Sequence, residues 1–330
     1  MELLNQYHPK GILKDQRFKD IQQYGVTSMA YSALQEGIQE FRHSAFRGFI
    51  PYFSLWGIDY VLSDPITPPE DFMGATLLFL NKSQGTVFCQ ISASFAQTLS
   101  LLNFKINGLG VEHVIDLDDF EVTWKKRKRL KSYLSSFSKQ DFNVVEDKFD
   151  LSKIKEINEQ WLKSKSNGRE LRFMARPFID LSEKDVRNFF LEKDDQLLGF
   201  VTFDPVYSTQ MDQQIESYAL QHLRVSELAP SGSQDFLILK ALEQFKREGL
   251  RKISLGISPL YQRDNEHFKY SRMTEYVFSF FYRMNLFYSY QRMGEHKEQY
   301  KVGKNPVYLA MRDEFLLRKL GGLLKVNNLI

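Results

Sequence analysis

Apolar positions along this chain switch repeatedly between a helical and a strand period. Leu34, Ile38, Phe41, Ala45 and Phe49 recur at helical spacing and predict an amphipathic helix over residues 32–49. Short β-like runs at 51–55 and 58–62 follow, closed by Asp64-Pro65 and Pro68-Pro69. Residues 70–81 read as a helix, 86–91 as a buried strand and 94–102 as a helix, with alternating strands at 105–109 and 113–116. A basic run from Lys125 to Lys131 leads into a helix ending near Ser138.

The second half alternates in the same way. Residues 151–163 predict a helix with Ile154, Ile157 and Trp161 on one side, and Ser182 as N-cap with Asp185 in the first turn predicts another running to Leu191. Strands at 196–203 and 215–225 form an expected hairpin. The stretch 217–260 is the most informative: a strand, a Pro230-Ser231-Gly232 turn, an apolar helix at 234–248 ended by Gly249, and a strand at 252–256 entering Gly256-Ile257-Ser258-Pro259. At 330 residues the chain exceeds what one core comfortably fills. The polar stretch 142–150 is the cleanest divide, giving expected domains 1–147 and 148–330, facing α/β units without a residue-level repeat.

Composition narrows the function classes. A hydrophobic fraction of 43% describes an ordinary globular chain, and a net charge of +3 leaves attraction to polyanions to local clusters rather than to the whole molecule. One cysteine, Cys89, excludes an internal disulfide and a thiolate metal cluster. The residues after Met1 lack a signal-peptide core, and no run approaches the roughly 18–20 apolar residues that span a bilayer. The expectation is a cytoplasmic protein that could touch a membrane from that side.

Candidate chemistry centres on the β-turn-α-β unit. Backbone N–H groups at a helix N-terminus bind phosphates or polarise a carbonyl, and Ala229-Pro230-Ser231-Gly232-Ser233 before the helix fits that use. Acyltransferase folds of the GNAT type hold activated donors this way. The turn lacks the fuller Gly-rich loop expected for a coenzyme A pyrophosphate, and an ordinary strand-to-helix turn accounts for it equally well. Asp235 either complements the helix dipole or orients a substrate amine or hydroxyl. The cations Lys125, Lys126, Arg127, Lys128, Arg129 and Lys131 form a solvated helix face or bind tRNA phosphates or anionic lipid headgroups. The tail RKLGGLLKVNNLI reads as a docked final helix, with a membrane interface as the alternative. The six histidines have no metal-ligand spacing, and no nucleophile elbow, Walker loop, zinc motif or kinase set occurs.

Three blocks carry a family resemblance. Glu170-Leu171-Arg172-Phe173-Met174-Ala175-Arg176 looks like a Glu-x-x-Phe-x-x-(Gly)-Arg stretch; Arg224, Ala229-Pro230, Gly232 and Asp235, then Leu255-Gly256-Ile257-Ser258-Pro259-Leu260, keep the spacing of Asp-Leu-Met-Arg…Ala-Pro-x-Gly-x-x-Asp and Leu-Gly-Met-Ala-Pro-Leu; Lys297, Tyr300 and Tyr308-Leu309 resemble the closing Lys-x-(Lys)-Phe…Tyr-Leu. Ser63-Asp64-Pro65-Ile66 and Ile115-Asp116-Leu117 add N-terminal echoes. Over residues 58–312 the chain thus resembles the catalytic domain of phosphatidylglycerol lysyltransferases, the aminoacyl-phosphatidylglycerol synthases. It departs at Gln221, where the family has aspartate, and at Gln299, Val302 and Lys304, and the family's many-helix membrane half is not expected in it.

The resemblance implies a fold of tandem GNAT-like domains, each a mixed sheet flanked by helices, and transfer of an amino acid from aminoacyl-tRNA to a phospholipid or related polar acceptor. It implies Glu170, Arg176, Arg224, Asp235 and Lys297 as catalytic residues, and Gly232, Ser233, Gly256, Tyr300 and Tyr308 as substrate contacts. The basic run would bind tRNA or lipid phosphate. No metal, cofactor or DNA is expected, and the location would be cytoplasmic, peripheral on the inner membrane face. An acyl-CoA-dependent acyltransferase and an inactive lipid- or tRNA-binding relative are the alternatives.

Overall fold

The structure, a computed structural model, describes residues 9–121, 128–146, 150–165, 168–178, 183–208, 214–285 and 289–330. Its strands are β1 (Gln39–Phe41), β2 (Ile50–Leu55), β3 (Ile58–Leu62), β4 (Thr86–Ile91), β5 (Lys105–Asp116), β6 (Asn143–Val145), β7 (Arg187–Lys193), β8 (Gln196–Tyr207), β9 (Ile215–Val225), β10 (Lys252–Pro259) and β11 (Gly303–Met311). The helices are α1 (Pro9–Tyr24), α2 (Phe72–Lys82), α3 (Ala93–Leu101), α4 (Lys128–Ser138), α5 (Leu151–Lys163), α6 (Ser233–Arg247), α7 (Arg272–Met284), α8 (Tyr290–Glu298) and α9 (Leu316–Val326). Among the described residues all strands join one 11-stranded sheet in the order β1-β2-β3-β4-β11-β5-β10-β9-β8-β7-β6.

A repeat invisible at residue level appears in this topology. β3-α2-β4 and β9-α6-β10 are both parallel crossover units, registered from Asp59↔Thr86 to Leu62↔Cys89 and from Lys252↔Ser217 to Ser254↔Ala219. The remaining ladders are antiparallel. The last strand does not stay with its own half. β11 enters between β4 and β5, while β5 pairs β10 on its other edge, so exchanged strands fuse the two repeats into one sheet. Separate apolar clusters pack on α6 and on α2 with α3, and a third joins α7, α9 and the middle strands.

Several elements differ from the periodicity-based expectation. Residues 32–49 form a short 3-10 helix (Ala30–Leu34) and then β1, because Gly37 (φ +87) and Gly48 (φ +82) break any helix and a Cβ on Gly48 would sit 1.9 Å from the Ile66 carbonyl oxygen. The helix expected up to Leu191 is instead β7: Phe189 and Leu191 face the α6 cluster while Phe190 faces α5, a strand period. Ser182 lies outside the described residues. The two strands at 105–109 and 113–116 are one continuous β5. The tail docks as expected, with Leu320, Leu323 and Val326 of α9 in the third cluster.

Close approach of β5 to β10 depends on Gly110, where a Cβ would lie 2.3 Å from the Ser258 carbonyl oxygen. That contact is backbone, so no rotamer change relieves it. Gly110→Ala is expected to cost about 1–3 kcal/mol, read by urea unfolding.

Candidate functional site

The site begins where a parallel pair comes apart. β9 and β10 are registered only up to Ala219 and Ser254; beyond them β10 bulges between Ser254 and Ile257 and continues along β5 alone. Gly256 makes that bulge at φ +76, a left-handed backbone that glycine adopts without a Cβ penalty. The gap opens a cavity of ≈ 990 Å³ lined from both halves, including Leu109 and Glu112 on β5, Leu220, Gln221 and Leu223 on β9, and Leu255, Gly256 and Ile257 on β10.

Divergence leaves backbone carbonyls without ladder partners, and a buried carbonyl without a donor is costly. Lys297 supplies the donor: its Nζ donates to the carbonyls of Gly256 (3.2 Å) and Ile257 (2.9 Å). Lys297 lines the cavity, and burial pushes its ammonium down to about 7, against a smaller upward pull from Glu112. α8 can press this close to β10 because Gly294 faces the Tyr261 ring, where a Cβ would sit 2.4 Å away.

The residue before Lys297 completes the polar end. His296 lines the cavity and bonds through Nε2 to Asp235 Oδ1 at 3.0 Å, while Tyr300 donates its hydroxyl to the same oxygen at 2.5 Å. Burial alone would raise the Asp235 carboxyl, but bonds from His296 and Tyr300 outweigh it and hold the pKa below the usual carboxylate range. Tyr300, buried against that carboxylate, stays protonated, its pKa well above the ordinary phenol value. Asp235 in the first turn of α6 therefore positions an imidazole whose other nitrogen remains available.

At the other end the first repeat splays in the same manner. Beyond Leu62 and Cys89, Ser63 (φ 61) and Gln90 (φ 56) turn the strands apart, and Ser63, Asp64, Gln90 and Ser92 line the cavity. Asp64 accepts from the Ser92 backbone N–H (2.9 Å) and hydroxyl (2.6 Å). Burial lifts its carboxyl to about 6, with the Ser92 bonds opposing.

Of the residues singled out from sequence, Lys297, Gly256 and Tyr300 line the cavity, with Asp235 directly behind it. Arg176 and Arg224 do not. Arg176 is 2% exposed and paired with Asp204 and Glu183; Arg224 lies on the far face of β9, 3.4 Å over the Trp161 ring, bonded to Asn158 and Glu170. Glu170 is thus committed to Arg224 and Asn158 rather than to the cavity. Tyr308 sits in the α2–α3 cluster and donates to Asp264. Gly232 (φ +94) and Ser233 open α6 under Tyr133, where a Cβ on Gly232 would be 2.5 Å from the ring, and Ser233 turns its hydroxyl back to the Pro230 carbonyl. Lys128, Arg129 and Lys131 are exposed on α4, which packs on α6 through Phe137 and Phe236; Lys125, Lys126 and Arg127 lie outside the described residues.

Sequence reasoning missed His296, Glu112 and the Ser63–Asp64–Gln90–Ser92 end. His296 was one of six scattered histidines, and only its distant pairing with Asp235 marks it out. Gln221, noted as a departure, donates its amide to the Arg176 carbonyl (3.0 Å), which a carboxylate could not do. Among the described residues no cluster of three or more metal-ligating side chains occurs, and no helix is long and apolar enough to cross a membrane.

Comparison with known proteins places the chain in a family. The family model for "Phosphatidylglycerol lysyltransferase, C-terminal" matches residues 18–311. The phosphatidylglycerol lysyltransferase of Staphylococcus haemolyticus (strain JCSC1435) is 23% identical over 307 residues, covering 89% of this chain but only 35% of that protein. The structure of L-PGS from Bacillus licheniformis superposes with a TM-score of 0.78 at 20% identity, covering 94% of this chain and 95% of that one. The C-terminal domain of a putative lysylphosphatidylglycerol synthetase from Agrobacterium fabrum gives 0.75 at 20% identity, covering 96% and 98%. Both share the mixed sheet flanked by helices that the resemblance implied. The family match runs from within α1 to the last residue of β11, through every strand of the sheet, and the chain belongs to the phosphatidylglycerol lysyltransferase C-terminal family.

Proposed function

We propose that this chain transfers an aminoacyl group from aminoacyl-tRNA to a hydroxyl of a phosphatidylglycerol-like lipid. The observation that carries the reading is an Asp235-held His296 beside a desolvated Lys297 at one polar end of a largely apolar cavity. The family membership points the same way. An aminoacyl ester is already activated, so no serine or cysteine nucleophile is needed. Cys89 is buried, and burial pushes its thiol far above the usual range.

In this reading the acceptor hydroxyl gives its proton to the free nitrogen of His296 while its oxygen attacks the ester carbonyl. The Lys297 ammonium, aimed into the cavity with one N–H beyond its two carbonyl partners, stabilises the oxyanion. Collapse expels the tRNA ribose oxygen, which takes the proton back, so one ester replaces another. Units 1–147 and 148–330 act as two lobes around the cavity. The α4 cations beside α6 meet tRNA phosphates, and Arg129 already contributes to holding the Asp235 pKa down. Arg176, Arg224 and Glu170 hold the β9 wall. A thioester donor has less support, because Tyr133 covers the α6 start where a pyrophosphate would have to lie.

The direct test incubates the chain with charged tRNA and phosphatidylglycerol and reads aminoacylated lipid by mass spectrometry; no product with any charged tRNA contradicts the reading. Lys297→Met is expected to lower kcat/KM by about 10²–10³-fold and His296→Ala by about 10²–10⁴-fold. If the Lys297 ammonium is the working form, activity falls as pH rises through about 7, and Lys297→Arg removes that limb. Between about 7 and the ordinary 10.5, the unfolded chain binds a proton that the folded one has shed. Stability contributed by this site therefore rises with pH across that window, and Lys297→Met flattens the rise in thermal melts. Arg176→Met, which strands Asp204, is expected to cost about 3–5 kcal/mol of stability, with activity lost only as folding is lost.

A further inference from the structure

Two helices border the lipid-sized cavity with their inner faces: α7 through Val277, Phe278 and Phe281, and α9 through Leu320, Leu323 and Leu324. Their outer faces share an unusual composition. Every exposed side chain of α7 is apolar or cationic, namely Arg272, Met273, Tyr276, Phe280, Arg283 and Met284. The exposed side chains of α9 are Leu317, Arg318 and Lys325. The one acid of α7, Glu275, turns inward to Arg263. In a chain with 44 basic and 41 acidic residues, two acid-free faces on the helices that flank one cavity do not follow from composition.

Exposure at these positions is large: Tyr276 is 71% and Leu317 79% exposed. Met273, Tyr276, Phe280 and Met284 recur at helical spacing, so they form a stripe on the water side of α7, opposite the buried Thr274 and Phe278. Water-facing apolar stripes flanked by arginines are what an interfacial helix presents to a bilayer, with the apolar chains in the headgroup boundary and the cations at anionic headgroups. Tyr276 and Phe280 could stack on bases, but the aliphatic Met273, Met284 and Leu317 that share the face suit an acyl boundary and offer a nucleic acid nothing to stack on, which favours lipid over RNA.

We propose that the outer faces of α7 and α9 form the docking surface of this chain on an anionic bilayer, bringing the cavity against the lipid. The inference rests on the lipid-acceptor reading but is read out independently of it. The orientation follows from the helices themselves: the elements that insert are the elements whose other sides wall the cavity.

The test uses the whole chain and vesicles of phosphatidylcholine with or without phosphatidylglycerol, scored by co-sedimentation in the absence of tRNA. The chain is expected to bind the anionic vesicles, and Tyr276→Ser/Phe280→Ser to weaken binding by about tenfold or more. Arg272→Glu/Arg283→Glu should remove the salt-sensitive part. None of these residues lines the cavity, so unchanged thermal melting and unchanged transfer to a short-chain, water-soluble phosphatidylglycerol should accompany the loss on vesicles. Equal vesicle binding by both variants overturns the proposal. So does a self-association of the chain, or a tRNA affinity, that these substitutions abolish while vesicle binding persists. Absence of transfer to every lipid, with vesicle binding and its loss in the variants intact, sinks the transferase reading and leaves the docking surface standing.

Discussion

One ammonium group holds open the gap on which the site depends. A parallel strand pair that separates inside a protein exposes carbonyls that must find donors. Here Lys297 meets that demand at Gly256 and Ile257 from a neighbouring helix, which offsets part of the cost of β10 leaving β9. The same desolvation that makes this bond strong also makes the charge easy to lose. Structure and chemistry are thus coupled at a single side chain.

The duplicated fold extends this logic. The first repeat opens in the same way at Ser63 and Gln90, but an acid braced by Ser92 stands there instead of a lysine. One cavity therefore has a cationic and an acidic end, separated by leucines and other apolar side chains. Exchange of β5 and β11 between the repeats ties the two ends into one sheet, so their spacing is fixed by strand register rather than by a hinge.

Much of this was legible before the fold. The β9-α6-β10 unit, the β8–β9 hairpin and the docked tail followed from period and turn residues, while the family resemblance singled out Lys297, Gly256, Tyr300 and Asp235, which the structure places at or behind the cavity. What failed did so for physical reasons. Helical spacing over 32–49 was accidental, because Gly37 and Gly48 override it. The resemblance implied Arg176 and Arg224 as catalytic residues, yet both are buried against Asp204, Glu183 and Glu170 and do not line the cavity. His296 was silent because its meaning lies in a contact with Asp235 across the fold, and the strand exchange leaves no trace in local pattern at all.

The central claim is that Lys297 is a desolvated cation bonded to the splayed strand. Selective nitrogen labelling of lysine and NMR titration of the Lys297 Nζ would measure it directly. The account predicts a midpoint near 7, well below the 10.5 of a solvated lysine. A midpoint at 10.5 would place that ammonium in water and contradict the account.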